Sequence, residues 1–259
     1  MTISQEQISV QIFWTGGFDS TFRMVQLSRC PVKIQPHYVS NDRKSQNTEL
    51  ASIARITSML VDHPQTQCEF LPLRIIENKD LPFNDEIDNA FERILKKNSL
   101  GIQYVWLGNY ALNHPGLELS IHEKDKAMLV INKYGNLVKK TDETTGDYFI
   151  LDTNETQEDV ATLFKYYRFP LATMKKTEMK SIYMDSGYEA VMNSTWFCFN
   201  PKNNKPCGYC NPCKYTIEEG LPERFTKMAL FRYRCRKFLF PVEQLLISIK
   251  RIIKKTIKR

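Results

Sequence analysis

The sequence predicts an α/β protein. A parallel sheet with helices on both faces is followed by a small four-cysteine knuckle and a C-terminal amphipathic helix. Three observations lead there. From residue 8 to about residue 110, segments rich in β-branched and aromatic residues alternate with segments of helical apolar spacing. A Thr15-Gly16-Gly17 turn separates the first such strand from the first helix. Four of the seven cysteines fall within residues 198–213. At 42% hydrophobic and 25% charged, the 259 residues have globular proportions, which excludes a collagen-like or low-complexity chain. No apolar run reaches the roughly 18 residues of a membrane-spanning helix. The N-terminus lacks a basic segment followed by an apolar stretch, so the expected compartment is the cytoplasm, where clustered cysteines bind metal rather than pair as disulfides.

Each element has a local reason. Ile8–Trp14 (ISVQIFW) reads as a buried strand, and Asp19-Ser20-Thr21 opens a helix to about Arg29. Val32–Val39 is a second strand. Leu50, Ile53, Ile56 and Leu60 set a helix over Asp42–Leu60. Cys68–Leu73 reads as a short strand, and Pro82–Leu95 as a helix with Ile87, Phe91, Ile94 and Leu95 on one face. Gln103–Leu107 reads as a strand ended by Gly108-Asn109. Ala127–Asn132 and Asp147–Leu151 read as strands joined by a polar turn over Lys133–Gly146, and Thr156–Tyr167 as a helix. A further helix runs from about Met174 to Ser186, with Gly187 as its stop, and a last helical region begins near Pro222. The expected domains are 1–195, 196–221 and 222–259.

The turn Thr15-Gly16-Gly17-Phe18-Asp19-Ser20 has a chemical reading. Between a strand and a helix, backbone N–H groups converge with the helix N-terminus outside the strand's carboxyl end, which favours phosphate. Two glycines let the backbone approach closely. Thr15 and Ser20 add hydroxyls, and Asp19 suits Mg²⁺, directly or through water. The competing reading is a tight turn capped by Asp19. The turn lacks the Gly-Lys-Ser/Thr ending of a Walker loop and the third glycine of the dinucleotide fingerprint.

Cys198-x8-Cys207-x2-Cys210-x2-Cys213 places four thiolates in a spacing that suits tetrahedral Zn²⁺. An Fe–S cluster is the alternative, although its usual x3-Cys-Pro continuation is missing. Four sulfur ligands leave no open position, which favours a structural role. Charge is uneven. Residues 232–259 hold ten Lys/Arg and one acid, a net +9, so the rest of the +7 chain carries −2. Val242, Leu245, Leu246, Ile249, Ile252, Ile253 and Ile257 form one face of that tail, opposite Lys250, Arg251, Lys254, Lys255, Lys258 and Arg259. Three uses are open to it: docking on the body, packing against a partner or a second copy in a homodimer, or contact with an anionic membrane surface or nucleic acid.

The hexapeptide resembles the Ser-Gly-Gly-x-Asp-Ser pyrophosphate loop of the ATP pyrophosphatases, with Thr15 in place of the first serine. Thr195-Trp196-Phe197-Cys198 followed by Pro206-Cys207-Gly208-Tyr209-Cys210-Asn211-Pro212-Cys213 looks like the C-terminal region of one branch, the 7-cyano-7-deazaguanine synthases. Pro170-Leu171, Lys176-Thr177-Glu178 and Gly187 follow that family's spacing. The resemblance implies a Rossmann-like (HUP-type) sheet and a reaction. A small-molecule carboxylate, 7-carboxy-7-deazaguanine in the family, is adenylated by ATP with release of pyrophosphate. Ammonia then gives the amide, and a second adenylation leads to the nitrile. No glutaminase domain fits in the chain, so the ammonia or amine comes from outside. Lys176 would contact phosphate, with a solvated surface charge as its bland alternative and Lys175 as a competitor. Adenine would lie at the end of the second strand, near His37, Tyr38, Val39 and Ser40. Arg43 would reach phosphate or ribose, or else pair with Glu49. Gly108 and Asn109 would form a second wall, unless Asn109 only shapes a turn.

The chain departs from the family where the acid would be read, in Tyr38–Arg43 and in Tyr110–Ser120. The resemblance therefore implies the ATP chemistry and leaves acid and amine open. His114 and His122 are candidate bases. Three functions follow: the ligase; an enzyme that modifies a nucleic acid by thiolation or attaches a deazapurine acid to another amine such as a protein's; and a non-catalytic ATP-binding partner.

Overall fold

The computed structural model describes residues 8–41 and 43–236. They fall into two compact units that divide between Trp196 and Phe197. The first opens with β1 (Ser9–Phe13), α1 (Phe18–Ser28), β2 (Lys33–Ser40) and α2 (Gln46–Val61). Then come β3 (Glu69–Phe70), β4 (Arg74–Glu77), α3 (Asp85–Leu95), α4 (Gln103–Ala111) and β5 (Leu117–Glu118). α5 (Lys126–Tyr134) leads to a hairpin, β6 (Asn136–Asp142) and β7 (Gly146–Asp152). α6 (Glu158–Phe164), β8 (Tyr167–Arg168), α7 (Lys176–Asp185) and α8 (Glu189–Asn193) complete the unit.

The main sheet has the order β3-β2-β1-β5-β8, with every pairing parallel and β4 continuing its edge against β2. After β1 the chain adds strands on one side. It then returns to place β5 and β8 on the other. The order thus reverses between β1 and β5, and ligands of open α/β sheets bind outside the strand ends at such a point. Side-chain alternation along β2 sends His37 and Val39 to one face and Tyr38 to the other. Val39 joins Phe13, Ile87, Phe91, Leu107, Ile131 and Leu163 in a core beneath α3–α6. Tyr38 meets α2, and α1, α2, α7 and α8 pack together on that side.

Four segments differ from the sequence expectation. Gln103–Leu107 is not a strand but the start of α4. Tyr104, Leu107 and Ala111 recur at helical spacing and are all buried, and this stripe overrides the β-prone composition of the segment. Ala127–Asn132 is not a strand either. Asp125 caps α5 by accepting the Ala127 N–H at 2.8 Å. Lys133–Gly146 is not a polar turn throughout, because Asn136–Asp142 is β6, paired antiparallel with β7. The strand expected over Cys68–Leu73 breaks after Phe70 at Pro72, which has no N–H to give. Gln35 Nε2 donates to the Pro72 carbonyl at 2.7 Å and bridges the break.

β5 has only two residues, yet it carries a buried charge. Glu118 accepts from Arg23 Nε at 2.8 Å and from Nη2 at 2.7 Å, both side chains being at least 96% buried. Arg23 Nη1 also donates to the Thr145 carbonyl at 3.2 Å, which ties α1 to the hairpin turn.

In the second unit, residues 197–236, Lys202 and Lys205 pair across a turn in which Asn203 and Asn204 both take left-handed backbone angles. α9 (Asn211–Glu218) starts with proline in its first turn. A 3₁₀ turn at Pro222–Arg224 precedes a helix over residues 227–236. The amphipathic stripe from Val242 to Ile257 lies outside the described residues.

Removing one partner of the buried pair strands the other. Arg23→Met is expected to cost about 3–5 kcal/mol in urea unfolding, and the double variant Arg23→Met/Glu118→Leu to recover most of it. A double variant no more stable than the single one would show that the pair is not the source of the loss.

Candidate active site and metal centre

At the carboxyl end of β1 the chain turns sharply. Gly16 has φ +68°, and a Cβ there would lie 3.2 Å from Ile53 Cγ1 and 3.3 Å from the Glu49 carbonyl, so conformation and space both demand glycine. The turn is tied down at several points. Trp14 Nε1 donates to Thr21 Oγ1 at 3.0 Å, and Trp196 N donates to the Gly16 carbonyl at 2.8 Å. Gly17 caps α1 without a side-chain hydrogen bond. The first-turn N–H groups of α1 have no partner within the helix, and they combine with its dipole at the strand end.

Three neighbouring strand ends meet here. Asp19 follows β1, His122 follows β5, and Lys176 follows β8 as the first residue of α7. Asp19 Oδ2 lies 3.6 Å from Lys176 Nζ and 3.7 Å from His122 Nδ1. Asp19 Oδ1 is buried and has no hydrogen-bond partner among the described residues. The Lys176 ammonium also sits 5.7 Å from the centre of the Phe18 ring. Of the two lysines weighed, Lys176 reaches Asp19. Lys175 is exposed and caps α7, its N–H bonded to Glu178 Oε2 at 2.9 Å. Sequence reasoning did not find Asp125. Removal from water pushes its carboxyl above the usual range. Asp19 adds to that shift, while the Ala127 N–H, His122 and Tyr104 oppose it. The signal for it was the N-cap position before Ala127.

The second strand's residues are committed internally. Tyr38 OH donates to Glu49 Oε2 at 2.8 Å, and burial with the Glu49 charge pushes the phenol up to about 12. Arg43 Nη2 donates to the same carboxylate at 2.6 Å, the alternative foreseen for it. Ser40 Oγ donates to Gln46 at 2.9 Å. Val39 and Ser40 lie in the part of β2 that extends past its last partner in β1, with backbone toward the glycine turn's end of the sheet. Gly108 and Asn109 end no strand. They lie inside α4, Gly108 close to Ile87 and Asn109 buried with Nδ2 on the Val105 carbonyl at 3.0 Å. His114 stacks on Tyr110 with ring centres 4.0 Å apart. Tyr110 OH lies 2.6 Å from Nδ1 of the fully buried His37.

In the second unit the four sulfurs of Cys198, Cys207, Cys210 and Cys213 all lie within 4.8 Å of one another. Three of the separations are 3.4, 3.8 and 3.9 Å. A tetrahedron of sulfurs at 2.3 Å from one ion has an edge of about 3.8 Å. Backbone N–H groups of Cys207, Tyr209 and Cys210 point at sulfur from 3.2–3.3 Å. Cys210 caps α9, and its sulfur–sulfur hydrogen bonds with Cys198 and Cys213 hold its thiol far below the ordinary range. Gly208 has φ +74°, and a Cβ there would collide with the Ala229 backbone.

Lys176, Thr195-Trp196 and all four cysteines fall within one comparison with known proteins. Residues 147–222 match the family model described as Queuosine biosynthesis protein QueC. The resemblance read from the sequence is thus shown over this segment, which is less than a third of the chain. The QueC match includes β7, α6, β8 and α7 and leaves out the glycine turn and Asp19. No curated protein matches the chain. No helix of the described residues is long and apolar enough to cross a membrane.

Two outcomes are expected. Gly208→Ala should abolish stoichiometric metal retention, measured by elemental analysis, because the Ala229 carbonyl cannot give way to a methyl group. Burial, with His114 and Arg74 nearby, holds the His37 imidazole down at about 4. The unfolded chain, titrating near 6.5, therefore binds the extra proton first. This contribution to stability is complete above pH 6.5 and is lost toward pH 4, at up to ~1.4 kcal/mol per pH unit. Urea titrations of the protein and of His37→Gln should diverge over that window, and parallel curves would refute the assignment.

Proposed function

We propose that this chain is an ATP-dependent ligase that adenylates a carboxylic acid, releases pyrophosphate, and passes the acyl group to ammonia or another amine with loss of AMP. The acid that best fits the QueC resemblance is 7-carboxy-7-deazaguanine, with the amide and then the nitrile as products. One observation carries the reading: Lys176, inside the QueC match, lies 3.6 Å from Asp19 of the glycine turn, at the point where the sheet order reverses.

The chemistry sets two electrostatic demands. An anionic carboxylate must approach a triphosphate, and a multiply charged pyrophosphate must leave. In this reading the N–H groups of Thr15, Gly16, Gly17, Phe18, Asp19 and Ser20, with the hydroxyls of Thr15 and Ser20, hold the β- and γ-phosphates. Lys176 neutralises charge at the α-phosphate, where a carboxylate oxygen attacks phosphorus and the bond to the bridging oxygen breaks. Adenine rests against Val39 and Ser40, beyond the last residue of β2 that pairs with β1. Tyr38 and Arg43, locked on Glu49, hold the strand end in place rather than touching the nucleotide. His122, beside Asp19, and Asp125 would take up the proton that the incoming amine loses. The unpartnered Asp19 Oδ1 fits a hard cation, and Mg²⁺ held there would supply further neutralisation of the leaving pyrophosphate.

The four sulfurs fit Zn²⁺ as a closed structural site, since their spacing matches a single ion and ligands spread over several irons would stand further apart. This supports a fastener for the second unit rather than a redox centre.

The deciding experiment is AMP and pyrophosphate release with ATP, Mg²⁺, ammonium and 7-carboxy-7-deazaguanine, run beside a panel of related acids. Lys176→Met is expected to lower kcat/KM by about 10²–10³, and Lys175→Met by no more than a few-fold. No AMP with any acid, or equal losses in the two variants, would overturn the reading.

A further inference from the structure

The boundary at Trp196 divides the charge as well as the fold. Residues 197–259 carry fifteen Lys/Arg and four acids, a net +11. Residues 1–196 carry twenty-one and twenty-five, a net −4. A zinc tetrathiolate would subtract two and leave the second unit at +9. The basic character is therefore not confined to the tail. Residues 197–236 alone hold eight cations and three acids.

Along the chain these cations alternate with aromatic residues whose rings reach solvent. Phe199 is 49%, Tyr209 44%, Tyr215 37% and Phe231 61% exposed. Lys202, Lys205, Lys227 and Arg234 are exposed. The guanidinium of Arg236 lies 5.1 Å from the Tyr209 ring centre and donates to Asn211 Oδ1 at 2.9 Å, so one ring is already set beside a fixed cation. Glu218, one of the three acids, is engaged by Lys214 and Tyr233. Exposed aromatic rings interleaved with cations match a single-stranded polyanion with planar bases, whose phosphates meet the charges while its bases stack. An anionic bilayer offers no rings to stack on.

We propose that the cysteine-bearing second unit is a docking surface for single-stranded nucleic acid. Docking is independent of adenylation and needs no ATP. The test uses the full chain with zinc bound and a fluorescein-labelled RNA of about 20 nucleotides, followed by anisotropy. With four phosphates neutralised, affinity should fall roughly 50-fold between 50 and 200 mM KCl. Lys205→Ala/Arg234→Ala should reduce the slope of log affinity against log salt by about 1.4. Tyr209→Ala and Phe231→Ala should each weaken binding about tenfold and leave that slope unchanged. Lys79→Ala, an exposed cation of the first unit, should change nothing. Phe231 and Arg234, both exposed, carry the test if Tyr209→Ala fails to fold. The proposal falls if the RNA does not bind at 50 mM KCl, if Lys79→Ala weakens binding as much as the second-unit variants, or if anionic phospholipid vesicles compete the RNA away at equal phosphate.

Discussion

The bidentate contact between Arg23 and Glu118 sets the geometry on which the candidate site depends. β5 has two residues and few ladder bonds of its own, yet it is the strand beside which the sheet order reverses. Asp19 and Arg23 are four residues apart on α1 and share a face. Holding Arg23 on Glu118 therefore sets the rotation of α1 against β5, and with it the approach of Asp19 to the segment that carries His122. A buried ion pair is weak evidence of net stability, because desolvation offsets much of its attraction. Its contribution here is alignment, and the fork of the guanidinium tolerates little slippage.

What could be read in the sequence follows from how local each signal is. β1, the glycine turn, α1 and β2 were legible because composition, turn chemistry and helical spacing agree over short stretches. The cysteine cluster was legible because four sulfurs within sixteen residues need no tertiary information to be grouped. Lys176 was singled out by its flanking motif, and the structure adds its distance to Asp19. The middle of the chain was not legible, for physical reasons. Gln103–Leu107 has the composition of a strand, and only the burial of Tyr104, Leu107 and Ala111 against other helices decides for α4. Leu117-Glu118 is too short to show alternation, and it owes its place to a partner 95 residues away. His122 was read with His114 as a candidate base, and nothing local could tell the two apart, although His114 stacks on an aromatic ring instead.

The two units are held by different means. The first relies on a sheet with apolar layers on both faces, and its polar groups collect at strand ends. The second is small and leaves several large apolar rings of its described residues in water, and its four clustered sulfurs are placed where one ion would take the place of a large core. Gly208 lies between the paired cysteines, where Ala229 leaves no room for a side chain. That packing joins the knuckle to the helix of residues 227–236, so the four-cysteine cluster and the helix are one structural commitment.

The break at Pro72 bears on how the protein behaves in a crowded solution. An open parallel sheet has two borders, and each is a template onto which another chain can add strand by strand. Here one border is split into β3 and β4 by a residue that cannot donate, with Gln35 occupying the gap. At the other, Phe149 of the hairpin exchanges both backbone bonds with Phe169 just past β8. Among the described residues, neither border of the main sheet offers an unbroken row of donors and acceptors, so growth of that sheet has no straight seam from which to start.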